Sequence, residues 1–414
     1  MTGRPRARAS SVRALSSALW LALGLGLWLA LGVGCTGTQE STTPVALVVA
    51  GNDADSGEAV VGLVATGLPP DPTADDPPLT WLPSFRRTVP GTIIDVAVAR
   101  DDPERLYVLH RDGSDLLTVF DVSALDVDDA TTFEATRTID LGARVEAAGV
   151  ADLPDANSLC SRGVVVAGDG RWAGVVHEAD ACGAVDDAPA VLLIELEPDP
   201  GSQARVFPDV PSTNDAPGTP VIAPRGGETV LAWPTRGGAV LARDLSDPGG
   251  PPDELAFTDG LSDVLSLGRG GQGLVLLNED ALLGVSVEDD TSTPLWEAPE
   301  GTTLIRVVDA HLLPGTPALA LATDGLVVVA DVDADVDADP DSVPPVLAPV
   351  ASPSGAVVGP YGYAFVTAQG SVTVVDLLTF LADPGTSIRG EAATSLEALS
   401  DPVAVDWLFV SPAP

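Results

Sequence analysis

From about residue 45 onward, apolar runs of four to eight residues, rich in Val, Leu and Ala, alternate with breaks of Gly, Pro, Asp and Asn. Runs that short, apolar throughout and bounded by turn residues, predict strands buried on both faces rather than helices. The runs group in fours. One set reads "TIIDVAVAR" (92–100), "RLYVLHR", "LLTVFDVS" and "EATRTIDL" (134–141). The next contains "SRGVVVAGDGRWAGVVHEADA", "AVLLIELEP" and "ARVFPDV". Four more follow, opening on "TPVIAPRG", "VLSLGRGG", "TLIRVVDA" and "GAVVGPYG". The last set closes on "TSIRGEA". The second and third runs of a set form a hairpin over a Gly or Asp turn, and the third commonly ends near an Asp: Asp121, Asp244, Asp331, Asp376. Four-stranded units repeated in this way predict an all-β propeller.

The two ends complete the pattern. "DPVAVDWLFVSPAP" (401–414) opens a set and stops, whereas "VALVVAG", "AVVGLVATG" and "TWLPSFRR" lack an opening run. Pairing the N- and C-terminal strands yields one further blade and removes the open sheet edges. The expectation is a single propeller over residues 44–414, with seven blades of four strands.

Composition agrees. The chain of 414 residues is 45% hydrophobic, with 42 Gly and 37 Pro spread along it. Asp outnumbers Glu by 44 to 16, which favours turns over helices. There is no Lys, and the formal net charge is −40. Without the four Arg of the first 34 residues, sixteen Arg face sixty acids, a balance of −44. Such a surface repels nucleic acid and anionic headgroups, and nucleic-acid partners are excluded.

The first 34 residues have a secretory layout: Arg4, Arg6, Arg8 and Arg13, then an uncharged apolar stretch from Ala14 to Val33, then "GVGC". This resembles a bacterial lipoprotein signal peptide, whose Cys, here Cys35, is lipidated and becomes the new N-terminus. The family's Leu three residues before the Cys is replaced by Gly32. An uncleaved transmembrane anchor is the alternative. The resemblance implies residues 1–34 as signal peptide, residues 35–43 as flexible stalk, and a membrane partner through the lipid at the bacterial cell envelope. Cys160 and Cys182 lie at the two ends of a predicted hairpin, and a disulfide across its open base is expected in that compartment; free thiols or a metal pair are the alternative.

"YAFVTAQGSVTVVD" (363–376) and "RLYVLHRDGSDLLTVFDVS" (105–123) resemble YVTN β-propeller repeats. Phe365, Val366, Thr367 and Ala368 stand at the motif in one copy, and Tyr107, Val108, Leu109 and His110 in the other. The likeness implies a propeller and an envelope or surface setting, not an activity.

Candidate chemistry is sparse. Asp331, Asp333, Asp335, Asp337, Asp339 and Asp341 alternate along one segment, so a bound Ca²⁺ would relieve their repulsion, but Val336 and Ser342 stand where a calcium loop needs Gly and Glu. A solvated acidic loop is the competing reading, and no cofactor is otherwise expected. His110, His177 and His311 fall in different sets, and Trp81, Trp172, Trp233, Trp296 and Trp407 are expected in inter-blade packing. No G-x-S-x-G elbow, Cys-x-x-Cys pair or P-loop is present. No catalytic residue is therefore assigned. The expected function is a non-enzymatic binding or scaffold module for an envelope protein or ligand. The alternative is a metal-dependent propeller hydrolase or lactonase with its site in the central channel.

Overall fold

Strand β1 (Val45–Asp53) shows how the ring is built. Val45, Leu47 and Val49 enter one apolar layer, and Ala46, Val48 and Ala50 enter another. A strand buried on both faces must be apolar throughout, and this one is. The computed structural model describes residues 44–410 except 54, 68–78, 102, 150–158, 179–181, 183–188, 210–216, 236–238, 256–263, 270–273, 279–280, 287–290, 300, 311, 313–317, 330–345, 351, 369, 378–390 and 396–398. Contacts divide the chain into units of residues 1–43 and 44–414. The apolar stretch 14–33, Cys35, the stalk, His311 and Asp331 to Asp341 lie outside the described residues.

Seven four-stranded antiparallel sheets are present. Blade 1 takes β1, β2 (Ala59–Thr66) and β3 (Leu79–Val89) from the start of the body. Blade 2 is β4 (Thr92–Ala99), β5 (Arg105–Asp112), β6 (Ser114–Asp121) and β7 (Ala135–Asp140). Blade 3 is β8 (Ser161–Val166), β9 (Trp172–His177), β10 (Ala190–Glu195) and β11 (Val206–Asp209). Blade 4 is β12 (Val221–Arg225), β13 (Glu228–Pro234), β14 (Val240–Asp244) and β15 (Asp253–Leu255). Blade 5 is β16 (Val264–Arg269), β17 (Leu274–Asn278), β18 (Ala281–Ser286) and β19 (Thr291–Glu297). Blade 6 is β20 (Leu304–Val308), β21 (Ala318–Ala322), β22 (Gly325–Val329) and β23 (Val346–Pro349). Blade 7 is β24 (Gly355–Val358), β25 (Tyr363–Ala368), β26 (Ser371–Asp376) and β27 (Glu391–Ser395). The last strand, β28 (Leu399–Phe409), returns to blade 1 as its innermost member. It pairs with β1 from Val45↔Phe409 to Asp53↔Leu399. The expected closure is thus one C-terminal strand against three N-terminal ones.

Among the described residues the core consists of seven apolar layers, one between each pair of neighbouring blades. The Trp residues sit in these layers: Trp172 and Trp233 between blades 3 and 4, Trp407 and Trp81 between blades 7 and 1, Trp296 between blades 5 and 6. Two details depart from expectation. The outer strand of blade 7 lies at Glu391–Ser395, overlapping only the last two residues of "TSIRGEA" (386–392). A short helix, α1 (Leu141–Ala148), follows β7; the Asp140 carboxylate accepts from the Ala143 N–H at its start, and Gly149 ends it at φ 63°. The predicted disulfide Cys160–Cys182 is present across the open base of the β8–β9 hairpin, with Cα atoms 5.8 Å apart.

Candidate functional site in the central channel

The innermost strands β4, β8, β12, β16, β20, β24 and β28 surround a channel with a cavity of about 430 Å³. Four of them carry a register irregularity near the N-terminal end: between Ile93 and Asp95 in β4, Ser161 and Val164 in β8, Val264 and Ser266 in β16, and Leu304 and Arg306 in β20. In β28 the register skips Val403 between Pro402 and Ala404. A bulge re-aims the side chains beside it and ends regular pairing. Here the bulges stand around one mouth of the channel. The skipped residues Ile94, Gly163 and Val403 line a second cavity of about 170 Å³ at that mouth, together with Asp95 and Arg306. The two cavities share Asp95, Thr219, Pro220 and Arg306, so the mouth leads into the channel.

Asp95 is held on both oxygens. Its Oδ1 accepts from the Val96 N–H at 2.9 Å, and its Oδ2 accepts from the Val164 N–H of blade 3 at 3.1 Å. Loss of solvent pushes its pKa up; the Arg306 guanidinium and the two N–H groups pull the other way, and Asp406 adds to the rise. Arg306 is half-buried, and among the described residues it makes no hydrogen bond or ion pair. Its guanidinium lies over Gly355, where a Cβ would stand 3.3 Å from Nη2. Arg162 and Glu178, paired at 2.5 Å, complete the charged groups of this mouth.

The charged groups toward the other end are paired. Arg100 donates to Asp406 Oδ1 at 2.5 Å and to the Trp407 carbonyl at 2.6 Å, and its guanidinium stacks 3.6 Å from the Trp407 ring centroid. Asp406 Oδ2 accepts from the Val98 N–H of the next blade at 3.1 Å. That repeats the tie Asp95 makes to Val164, and Ser266 Oγ does the same for the Val307 N–H at 3.2 Å. Among the described residues the innermost strands share no ladder with each other beyond a single bridge from Thr219 to Ser266, so side-chain acceptors brace the gaps. Arg269 is doubly bonded to Asp309.

The residues singled out from the sequence fall elsewhere. His110 is buried in β5, with Nδ1 at 2.9 Å from the Pro90 carbonyl and Nε2 at 2.8 Å from Thr118 Oγ1; burial lowers its pKa. His177 accepts the Cys160 N–H at 3.0 Å beside the disulfide. Neither lines the channel, and no group of three or more His, Cys, Asp or Glu that could hold a metal occurs among the described residues. The channel carboxylates Asp95, Asp309 and Asp406 share the lumen with three guanidiniums, and Asp309 and Asp406 are each bonded to one. This donor set does not fit a divalent ion.

No family model matches the chain, and no curated protein matches it. Solved structures share the fold. A periplasmic gluconolactonase of Pseudomonas aeruginosa matches with a TM-score of 0.56 at 16% identity, over 89% of this chain and 99% of its own. A candidate 6-phosphogluconolactonase of Bacteroides uniformis matches with a TM-score of 0.58 at 13% identity, over 88% and 100%. One from Bacteroides fragilis gives 0.57 at 11% identity, over 90% and 100%. At these identities the likeness shows a shared propeller fold and nothing further. The expectation of a non-enzymatic binding or scaffold module is corrected here: the neighbours are lactonase-type propellers, and the channel mouth holds an acid and a guanidinium bonded to no described residue, which sequence motifs did not reveal.

Proposed function

We propose that the chain is a lactonase-type hydrolase that opens small cyclic esters at the bulged mouth of the channel. The observation that carries this reading is the pairing of Asp95 with Arg306 across one cavity without a salt bridge between them. Asp95, made more basic than a free carboxylate by burial, takes a proton from water as the water attacks the lactone carbonyl. The Arg306 guanidinium faces the oxyanion, where a preorganised donor lowers the barrier most. Collapse breaks the ring C–O bond, and Asp95 returns its proton to the departing alkoxide. The gluconolactonase and 6-phosphogluconolactonase names of the neighbours support sugar-acid lactones as the substrate class. The donor set described above supports a mechanism without a metal.

The test is turnover of glucono-δ-lactone, followed as acid release above the spontaneous rate. Asp95→Asn and Arg306→Gln are each expected to lower kcat by about 10²–10³. Wild-type protein that adds nothing to spontaneous opening across a panel of five- and six-membered lactones refutes the assignment.

The N-terminal pattern supports a lipid-anchored setting for this activity, with Cys35 as the modified residue and the body outside the cytoplasm; the YVTN-like strands of blades 2 and 7 agree with it. Cys35→Ser is expected to abolish labelling by a fatty-acid probe in cells.

A further inference from the structure

The acid–guanidinium mouth has a consequence for the product. A lactone is uncharged; the hydroxy acid it becomes carries a carboxylate at the carbon that faced Arg306. The guanidinium there has no hydrogen-bond or ion-pair partner among the described residues. Gly355 leaves the space in which it lies, since a Cβ at that position would meet Arg306 Nη2 at 3.3 Å and Thr367 Oγ1 at 2.9 Å. Among the described residues the far end of the channel offers no competing cation, because Arg100 and Arg269 are committed to Asp406 and Asp309. Arg162 at the near end is committed to Glu178.

We propose that the mouth is also a carboxylate-binding site, which retains the ring-opened hydroxycarboxylate with one oxygen on Arg306 and the other against a protonated Asp95. This rests on the hydrolase reading for its choice of ligand but not for its geometry. Two carboxylates within one small cavity cannot both stay charged, so the bound product and Asp95 share a proton. Burial already favours the protonated form of Asp95. The other charged groups facing this cavity or Asp95 are Arg306, Asp406 and the Arg162–Glu178 pair. Asp406 and Glu178 add negative charge and strengthen the need for that proton; each is itself paired with an arginine. Product therefore competes with lactone, and competes better in acid. The device limits ring opening when the acid accumulates, so a reaction that consumes hydroxy acids must drain the site.

The experiment is calorimetric titration of the full chain with sodium gluconate at pH 5.5 and pH 8.0. Affinity is expected to fall at least about tenfold between the two, with uptake of one proton shown by the dependence of the heat on buffer. Arg306→Gln should abolish binding at both pH values. Asp95→Asn, which cannot titrate, should bind with the same affinity at both. Gly355→Ala, which displaces the guanidinium without removing it, should weaken binding while leaving the melting transition cooperative. Binding that is independent of pH, or unaffected by Arg306→Gln, overturns the proposal. Because the readout is binding, gluconate uptake without any lactone turnover would refute the hydrolase and leave the carboxylate site standing.

Discussion

Two glutamates show how the same residue type is driven in opposite directions by its surroundings. Glu104 is nearly buried beside β28, where it accepts from the Phe409 N–H and sits 3.9 Å from Arg100. Loss of solvent raises its pKa from 4.5 to about 7, against the pull of Arg100. The native state then keeps a proton that the unfolded chain releases. Its contribution to stability is complete below pH 4.5 and is lost as the pH rises to 7 and beyond. Glu104→Gln should melt with the wild type at pH 5 and about 2 °C higher at pH 8. Glu195 is the reverse case. Arg205 and Arg171 donate to its buried carboxylate and lower its pKa from 4.5 to about 2. Its contribution is complete above pH 4.5 and is lost as the pH falls toward 2. Glu195→Gln should cost about 2 kcal/mol at pH 7, since two half-exposed arginines lose their partner, and the gap should close in acid melts. Asp95 and Arg306 were visible in the sequence as charges at the fourth position of "TIIDVAVAR" and "TLIRVVDA", flanked on both sides by apolar residues. A charge inside an apolar strand needs a partner or a purpose. Nothing in the spacing says that two residues 211 positions apart come to one cavity.

At the scale of elements, legibility follows burial. Strands buried on both faces announce themselves as continuous apolar runs, and middle strands such as β2, β5, β9, β10 and β21 were readable on that ground. The outer strand of blade 7 starts five residues later than expected because "EAATS" offers small and polar residues with no such run. Helix α1 was missed because its eight residues hold one narrow apolar edge, Leu141 and Val145, packed on the layer between blades 2 and 3. Bulges leave no mark in a pattern of apolar positions, so the feature that shapes the mouth was hidden. The disulfide was legible because a hairpin places its two flanks together. It spans 22 residues and ties the β8–β9 hairpin, whose β8 supplies the Val164 N–H that holds Asp95. Replacing both Cys160 and Cys182 with Ser should cost about 3 kcal/mol of stability, measured by denaturant melts, with the same loss on reduction of the wild type.

For the whole molecule, closure sets the outcome. In a ring each blade is stabilised by two neighbours, and removing any one seam exposes two apolar faces and a strand edge. The seam here is unusually accessible to experiment, because the innermost strand of blade 1 is the last element of the chain. β28 and the residue after it contribute Ala404, Leu408 and Val410 to one apolar layer, and β28 contributes Leu399, Val405 and Trp407 to the other. Through Asp406 it also braces Val98 and Arg100 of blade 2, and Ser354 of blade 7 donates to its Pro402 carbonyl at 2.5 Å. Ending the chain before Leu399 removes all of this and leaves β1 as an unpaired apolar edge at the axis. The truncated protein should lose its single cooperative melting transition and self-associate, as seen by light scattering. A synthetic peptide of residues 399–414 added during refolding should restore the transition, because the vacated groove specifies its register through β1. The same peptide with Asp406→Asn and Trp407→Ala should restore it poorly. If the truncated chain melts like the full one, the ring is held by its other seams, and the terminal strand is a lining of the channel rather than its clasp.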